Sequence, residues 1–387
     1  MLDFNKKMYI CILAVSAAFL FFGNMIASRG LEATPDVGEQ IFSATVTGIT
    51  DIVEDVQEFG QGIYIRNTIV AFSARITSGE RRGTMVSTTH IIPDFIETLE
   101  RDIETGDRIL LIYNEHFGDF FFAGHARINN IAVLGVLFFL AIVLLGGKKG
   151  FNSIVSLGFT CMAIFFVFIP AILSGMNIYI TTAIVAVYSI VTTLLIVVGV
   201  NKKALSAMLG CLGGVVLAGL LMFFMDVIMQ LTGVVDQESR LLLNLPTGHE
   251  INLRALVFAG VVIGSAGAIM DVAMSIASSL WEVKQVGGGG DPRGIFKSGI
   301  EIGKDIIGTM LNTLILAYIG SSLTLILLIV AYTTSTIELF NSEMIIVEFL
   351  RALVGSFGML LTVPLTAAIC AWLYSEEPEE IADFWES

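Results

Sequence analysis

The sequence predicts a mostly α-helical bundle that crosses a membrane about eight times and carries one small extracytoplasmic β-barrel-like domain of the OB type. Composition is the first observation: of 387 residues, 55% are hydrophobic and 14% are charged, whereas soluble domains contain about 25% charged residues. The second is a series of apolar runs of about 20 residues, the length that crosses a bilayer as a helix. The third is a segment after the first run that is rich in β-branched and aromatic residues.

The apolar runs predict the membrane spans. A bilayer offers backbone groups no hydrogen-bond partners, so continuous apolar runs cross it as helices. The second run is short, and the polar stretch HARINN before it is expected to supply residues at the membrane interface. The predicted spans are residues 8–27, 131–146, 153–173, 178–200, 208–231, 253–280, 306–331 and 349–373.

The lysines predict the orientation, because basic residues concentrate in cytoplasmic loops. With a cytoplasmic N-terminus, the lysines fall on the cytoplasmic side, and the outer loops at 174–177, 232–252 and 332–348 hold Arg240 as their one Lys or Arg. Both termini are therefore expected in the cytoplasm. The first span is interpreted as an uncleaved anchor, because its apolar run exceeds that of a usual signal peptide; a cleaved signal sequence is the alternative.

The segment between the first two spans predicts the extracytoplasmic domain. Five or six stretches, among them FSATVTGI and DRILLIYNEH, combine period-two patterning with turns at Ser78-Gly79, Thr105-Gly106 and Gly118-Asp119. Short strands at this density favour a compact OB-like barrel. Such barrels bind oligonucleotides or oligosaccharides. Acidic residues interleave the arginines here, so a solvated surface is favoured and no nucleic acid is expected as a partner.

Motifs for catalysis, metal binding and cofactor binding are missing from the sequence. The four cysteines lie singly in apolar runs, and the four histidines show no HExxH spacing. The glycine-rich turn QVGGGGDPRG at 285–294 lacks the lysine and hydroxyl of a Walker motif. No GxSxG nucleophile elbow occurs. We therefore expect no enzyme activity, no catalytic or metal-ligating residue and no organic cofactor.

These patterns divide the chain into four parts. The parts are an anchor at 1–30, the β domain at 31–128, seven spans at 129–375 with a cytoplasmic hairpin at 281–305, and an acidic cytoplasmic tail at 376–387.

Glycines in the fifth span predict close helix packing, because they let backbones approach; they are Gly210, Gly213, Gly214 and Gly219. Asp226, near the outer end of that span, fits either an interfacial or a buried position.

The sixth span contains a carboxylate. In the stretch GAIMDVAMSIASSLWEVK, Asp271 and Ser275 follow Gly260, Gly264 and Gly267 at steps of three and four, which places all five on one side of a helix. Small residues at these steps let helices pack closely. A carboxylate at the centre of a span costs on the order of 2.5–3.5 kcal/mol, and such residues usually serve a function.

A second polar row begins after the hairpin. Glu301, Asp305, Thr309 and Asn312 step by four, four and three along the helix predicted for SGIEIGKDIIGTMLNT. This helix is expected to start along the inner interface and then to enter the bilayer.

The two rows together predict an ion-coupling site. Antiparallel pairing at 1.5 Å per residue puts Asn312 and Thr313 level with Asp271. A carboxylate alone suits a proton, whereas added hydroxyl and carbonyl oxygens suit sodium. The alternative is structural: hydrogen bonds between the rows fix the helix register. The ion-coupling candidates are Asp271, Ser275, Thr309, Asn312 and Thr313, and the cytoplasmic access candidates are Glu301, Lys304 and Asp305.

Two stretches resemble a known family. GAIMDVAMSIASSLWEVK, followed by SGIEIGKDIIGTMLNTLILAYIGSSL, resembles the YibE/F family of bacterial multipass membrane proteins, and the layout of anchor, outer β domain and seven spans is similar as well. The resemblance implies a location in the bacterial cell membrane. It does not supply an activity.

The same region is also similar to the membrane half of SecD/SecF and other resistance-nodulation-division proteins. That similarity implies that Asp271 takes the acidic position and Asn312-Thr313 the polar positions opposite, coupling ion flow to movement of an extracytoplasmic domain. One outer domain and seven following spans depart from that arrangement, which has six-span halves with large domains between the first and second spans.

From the sequence we expect a membrane transporter or transport accessory, driven by a proton or sodium ion at Asp271. The alternative is a non-transporting membrane scaffold whose outer β domain docks a protein partner. The lipid bilayer is the expected environment in both cases. The transported substrate and the oligomeric state are not encoded in any pattern found here.

Overall fold

The computed structural model describes residues 2–30, 39–58, 64–93, 102–115, 117–245, 248–287, 291–332 and 335–375. Two compact units divide the chain. One unit consists of Met1–Glu32 and Ile142–Ser387, and the other of Ala33–Ala141. The predicted acidic tail at 376–387 and the centre of the glycine-rich turn at 288–290 lie outside the described residues.

A five-stranded antiparallel sheet forms the β domain. Its order is β3-β2-β1-β4-β5, and β1 is the longest strand because it pairs with β2 along most of its length and with β4 along its first seven residues. The strands are β1 (Glu39–Glu58), β2 (Tyr64–Ile76), β3 (Met85–Pro93), β4 (Arg108–Asn114) and β5 (Asp119–His125). Glycines with positive φ occupy the predicted turns, with φ values of 73° at Gly79, 99° at Gly106 and 70° at Gly118.

One face of the curled sheet encloses a small apolar core. Inward side chains alternate along the strands, and Phe72, Ile109 and Leu111 are almost completely buried, each contributing about 1.5–3 kcal/mol. The edge strands approach each other where the Thr88 hydroxyl donates to the Phe120 carbonyl. No backbone ladder joins β3 to β5 in the described part of the domain, so the sheet is not a closed barrel and the OB-like prediction is not confirmed.

The rest of the described chain is helical. Seven of the described helices are long and apolar enough to cross a membrane, as judged by length and composition. A wide π-helical turn at Ile164–Phe168 joins α2 to α3. The helices are α1 (Leu2–Ala27), α2 (Ile128–Ala163), α3 (Ile169–Leu173), α4 (Ile178–Val197), α5 (Lys202–Met229), α6 (Gln237–Leu242), α7 (Leu253–Gly287), α8 (Pro292–Ser321), α9 (Leu323–Tyr332), α10 (Thr336–Asn341) and α11 (Glu343–Ser375).

Eight spans were predicted, and the difference from seven lies in one apolar segment, Ile128–Leu173, which contains the second and third predicted spans. Gly147 interrupts α2 with φ 54° and ψ −131°, a conformation that glycine adopts without strain. The chain doubles back there, because a side chain on Gly150 would meet the Ile142 carbonyl oxygen at 2.2 Å. The predicted boundary is therefore present as a glycine turn that divides α2 into two helical segments.

Three helices pack around α11 in the membrane unit. α11 contacts α5, α7 and α8 extensively, and α5 also packs along α7. The contacts depend on glycine: a Cβ on Gly214 would lie 1.8 Å from the Thr362 hydroxyl oxygen, and one on Gly210 would lie 2.1 Å from that of Thr366. The close packing predicted from the glycines of the fifth span is confirmed at these two positions.

The predicted hairpin at 281–305 is mostly helical. α7 continues to Gly287 and α8 begins at Pro292, where the Asp291 side chain accepts the Arg293 N–H. Asp291 therefore caps the helix, and proline at its first position already has a helical φ. α8 ends near Ser322 rather than continuing to 331, and α9 begins at Leu323.

Candidate functional site

Asp271 lies near the middle of α7, on its exposed side. The residues that face the bundle core include Ile269, Val272 and Ile276, all completely buried, whereas Gly267 and Asp271 are exposed. No hydrogen bond or ion pair to the Asp271 carboxylate occurs within the described ranges. The predicted row of glycines and Asp271 is thus a continuous stripe, and this stripe faces away from α11.

Contacts between α7 and α8 fix their relative depth. A Cβ on Gly264 would lie 3.2 Å from the Tyr318 hydroxyl, and a Cβ on Gly299 would lie 3.0 Å from the Leu280 side chain. Counting residues from both contacts along antiparallel helices puts Asp271 level with the turn at 308–311. Thr309 is therefore at the depth of the carboxylate, and Asn312 and Thr313 lie up to about one turn beyond it.

The hydroxyl groups of the second row are satisfied within α8. Thr309 donates to the Ile306 carbonyl at 3.1 Å, and Thr313 donates to the Thr309 carbonyl at 3.0 Å. Both side chains and that of Asn312 are exposed, whereas Ser275 of α7 is half-buried. The structure thus brings Thr309 to the level of Asp271, but no hydrogen bond joins the two rows among the described residues.

The access candidates lie on the first half of α8. Lys304 and Glu301 form an ion pair with a distance of 2.8 Å between Nζ and Oε1, and both side chains are more than 60% exposed. Asp305 is exposed beside them. Because the pair is solvated or interfacial, it contributes little to stability.

Lysines and aromatic rings mark one end of the membrane unit, which we call the lysine end. Lys284 lies over the Trp281 ring at 5.8 Å and near the Tyr374 ring at 6.0 Å, and Lys202 donates to the Leu373 carbonyl at 3.4 Å. Aromatic and basic side chains together are typical of a membrane–water interface.

An ion pair in α11 was missed by the sequence analysis. Arg351 donates to Glu348, and the Ser322 hydroxyl, where α8 ends, donates to the other carboxylate oxygen of Glu348. The predicted span began at 349, which assigned Glu348 to an outer loop. An acid and a base three residues apart on an apolar helix were the available signal.

Asp226 proves to be buried, with 8% of its surface exposed, and its Oδ1 atom has no hydrogen-bond partner in the part of the chain that the structure describes. Nearby, at the end of the bundle opposite the lysine end, the Glu343 carboxylate accepts from Thr232 N–H, Thr232 O–H and Gly233 N–H, each at 2.7 Å. These bonds attach the loop after α5 to the start of α11.

Comparison with known proteins gives one match. The family model described as YibE/F-like protein matches residues 134–376, which include every helix from α4 to α11 and all the candidate residues. Neither the curated proteins nor the solved structures contain a match. Because the matched region is more than half of the chain, the protein belongs to the YibE/F-like family.

Proposed function

We propose that the protein is an integral membrane transporter or transport accessory in which Asp271 binds a proton or a sodium ion. The observation that carries the proposal is the exposed carboxylate near the middle of α7, with no protein cation beside it in the described residues. A bare carboxylate at this depth costs on the order of 2.5–3.5 kcal/mol. A proton or a cation bound from solution neutralises the carboxylate and so reduces this cost.

The attachment of α8 supports a coupling role. Its buried residues, Ile295, Gly299 and Gly303, all lie in the first half of the helix, and Ser322 binds Glu348 at the other end. Between these anchors Ile306, Met310 and Leu314 pack against the core, whereas the polar row lies on the exposed side of the helix, where an ion can reach it. The oxygen atoms of Thr309 and Thr313 keep lone pairs with which to coordinate a cation.

The access route is proposed at the lysine end. Glu301, Lys304 and Asp305 lie between that end and the depth of Asp271 on α8, and would attract the ion from the cytoplasm. The placement of Lys202 and Lys284 at one end of the bundle supports cytoplasmic termini. We place the protein in the bacterial cell membrane, with no enzyme activity and no cofactor other than the ion.

Thermal stability of the purified full-length protein tests the site. The unfolding midpoint is measured in sodium chloride and in choline chloride at equal ionic strength, and at several pH values in choline chloride. A ligand that binds the folded state alone stabilises it by about 2.7 kcal/mol at a hundredfold excess over its dissociation constant. We expect sodium or protons to raise the midpoint of the natural protein, and Asp271→Asn to abolish that response.

Glu282→Gln is the matched control, because Glu282 is exposed on the same helix and the substitution removes the same charge. Its response should equal that of the natural protein. A sodium response lost in Asp271→Asn identifies a sodium site, and a pH response lost there identifies a proton site. If Asp271→Asn and Glu282→Gln behave alike under all conditions, ion coupling at Asp271 is wrong.

A membrane scaffold is the second candidate, and the β domain favours it. Large apolar side chains are exposed on the sheet and its turns, among them Ile41, Ile91, Phe117 and Phe121, and such side chains are typical of a surface that docks a partner. A scaffold would keep its partner after Asp271→Asn and lose it when residues 41–127 are deleted. Affinity purification of the three proteins from the same membranes distinguishes the two functions.

A further inference from the structure

A polar cavity of about 280 Å³ lies in the β-domain unit, where β4 and β5 meet the start of α2. Its walls include Asp107, Arg108, His125, Arg127, Asn129 and Asn130. In the membrane unit, by contrast, the cavity between α4, α5 and α7 is lined almost entirely by apolar side chains. Charged and amide side chains from three elements therefore meet at this one cavity, independently of Asp271.

The backbone holds this group of residues together. Ala126 N–H donates to the Arg108 carbonyl at 2.8 Å, which ties the end of β5 to β4. Asn130 N–H donates to the Arg127 carbonyl at 3.2 Å, which forms the first turn of α2. Both arginines, which are exposed at the surface of the β-domain unit, thus extend from fixed backbone positions and line the same cavity.

Hydrogen-bond donors remain unused in the cavity. No hydrogen bond or ion pair engages the guanidinium groups of Arg108 and Arg127 or the side-chain amides of Asn129 and Asn130 in the described part of the unit. Asp107, by contrast, accepts from Glu104 N–H at 3.1 Å and lies 3.9 Å from His125 Nδ1. Two arginines against one aspartate give the walls an excess of positive charge.

The geometry points to a binding site for a phosphate-type oxyanion. Planar guanidinium groups bind phosphate oxygens through paired hydrogen bonds, and amides add donors without adding charge. α2 begins at Ile128 and continues as an apolar helix, so the cavity lies next to the membrane–water interface. A phospholipid head group and free phosphate share this chemistry, and experiment separates the two sources.

The test uses the full-length protein in neutral detergent and follows its unfolding midpoint. One arm compares potassium phosphate with potassium chloride at equal ionic strength. The other adds phosphatidylglycerol or phosphatidylcholine to the micelles. We expect the midpoint to rise with phosphatidylglycerol, with phosphate, or with both, and the arm that responds identifies the source.

Arg108→Gln/Arg127→Gln should weaken the apparent affinity for the responding anion by about tenfold or more. Arg75→Gln/Arg82→Gln removes the same charge from exposed positions of the same domain and should leave the affinity unchanged. Asn129→Ala/Asn130→Ala keeps the charge and should weaken binding several-fold. The midpoint of each variant without anion reports whether it folds.

Two results would overturn the proposal. In the first, neither phosphate nor phosphatidylglycerol raises the midpoint of the natural protein. In the second, both double arginine variants lose affinity equally, which would mean that anion binding depends on the total charge of the domain and not on the cavity.

Discussion

α11 and α8 have similar lengths but are held in different ways. α11 lies against α5, α7 and α8, and its buried residues extend from Ile345 to Tyr374. α8 is buried at Ile295, Gly299 and Gly303, and beyond them its polar row is exposed. The difference shows that α11 forms the centre of the bundle, whereas the middle of α8 packs through one side only, where Ile306, Met310 and Leu314 are partly buried against the core.

Glycine placement explains the difference. Along α11, small partners on α5 permit backbone approach at two successive turns, at Gly210 and Gly214. Helices in lipid associate through such packing, because lipid tails are as apolar as the side chains that they replace. On α8, Gly299 and Gly303 permit the same approach at one end, where their added Cβ atoms would meet Ala367 and Val363.

Gly214→Ala should have the largest effect, because the new Cβ would lie 1.8 Å from the Thr362 hydroxyl oxygen. We expect a loss of about 2–3 kcal/mol in the free energy of unfolding, measured by denaturant titration in mixed micelles. Gly219→Ala is the control, since the nearest atom there would be 3.6 Å away. Equal losses in the two variants would contradict a tight α5–α11 contact at Gly214.

Gly303→Ala should have an intermediate effect. Its Cβ would lie 2.1 Å from a methyl group of Val363, which makes no hydrogen bond, whereas the Thr362 hydroxyl that faces Gly214 is held by its hydrogen bond to the Gly358 carbonyl. We expect a loss of about 1–2 kcal/mol and faster proteolysis of α8, monitored by mass spectrometry. Gly308→Ala faces open space and should change neither quantity; if it matches Gly303→Ala, α8 is not anchored at Gly303.

Ser322→Ala should have the smallest effect, because it removes one hydrogen bond to Glu348. We expect a loss of about 1 kcal/mol by the same titration. Ser321→Ala is the adjacent control, since the Ser321 hydroxyl is exposed and donates to the Tyr318 carbonyl within its own helix. A loss in Ser321→Ala as large as that in Ser322→Ala would argue against a second anchor.

Much of the fold could be predicted because it depends on local patterns. The apolar runs located the spans to within a few residues at α4 and α5, and the glycines of α5 indicated a close contact. The sequence predicted a gap between two spans at Gly147. Hydropathy alone does not reveal that the residues on both sides of this glycine are helical. The β domain was predicted in its turns and strand count, whereas closure into a barrel depends on pairing between β3 and β5, which are distant in sequence.

The candidate site was predicted only in part. Both polar rows exist as helical stripes, and Thr309 is at the depth of Asp271. The pair Glu348–Arg351 escaped notice because the boundary of an apolar run is a poor guide to where a helix begins. For Asp226 the sequence allowed either an interfacial or a buried position, and the packing of the neighbouring chain segments buries it.

The sequence by itself determined that this chain is mostly helical, that several of its helices are long and apolar enough to cross a membrane, and which polar residues share one side of a helix. These properties follow from hydropathy and from the 3.6-residue period, and both are local. Only the tertiary structure decided that α11 lies at the centre, that the Asp271 stripe faces away from α11, and that arginines from β4 and the start of α2 meet at one cavity. In lipid, an apolar side chain gains no hydrophobic energy by facing protein rather than lipid. The apolar side of a helix can therefore face either, and the position of a polar row does not by itself tell which side the neighbouring helices cover.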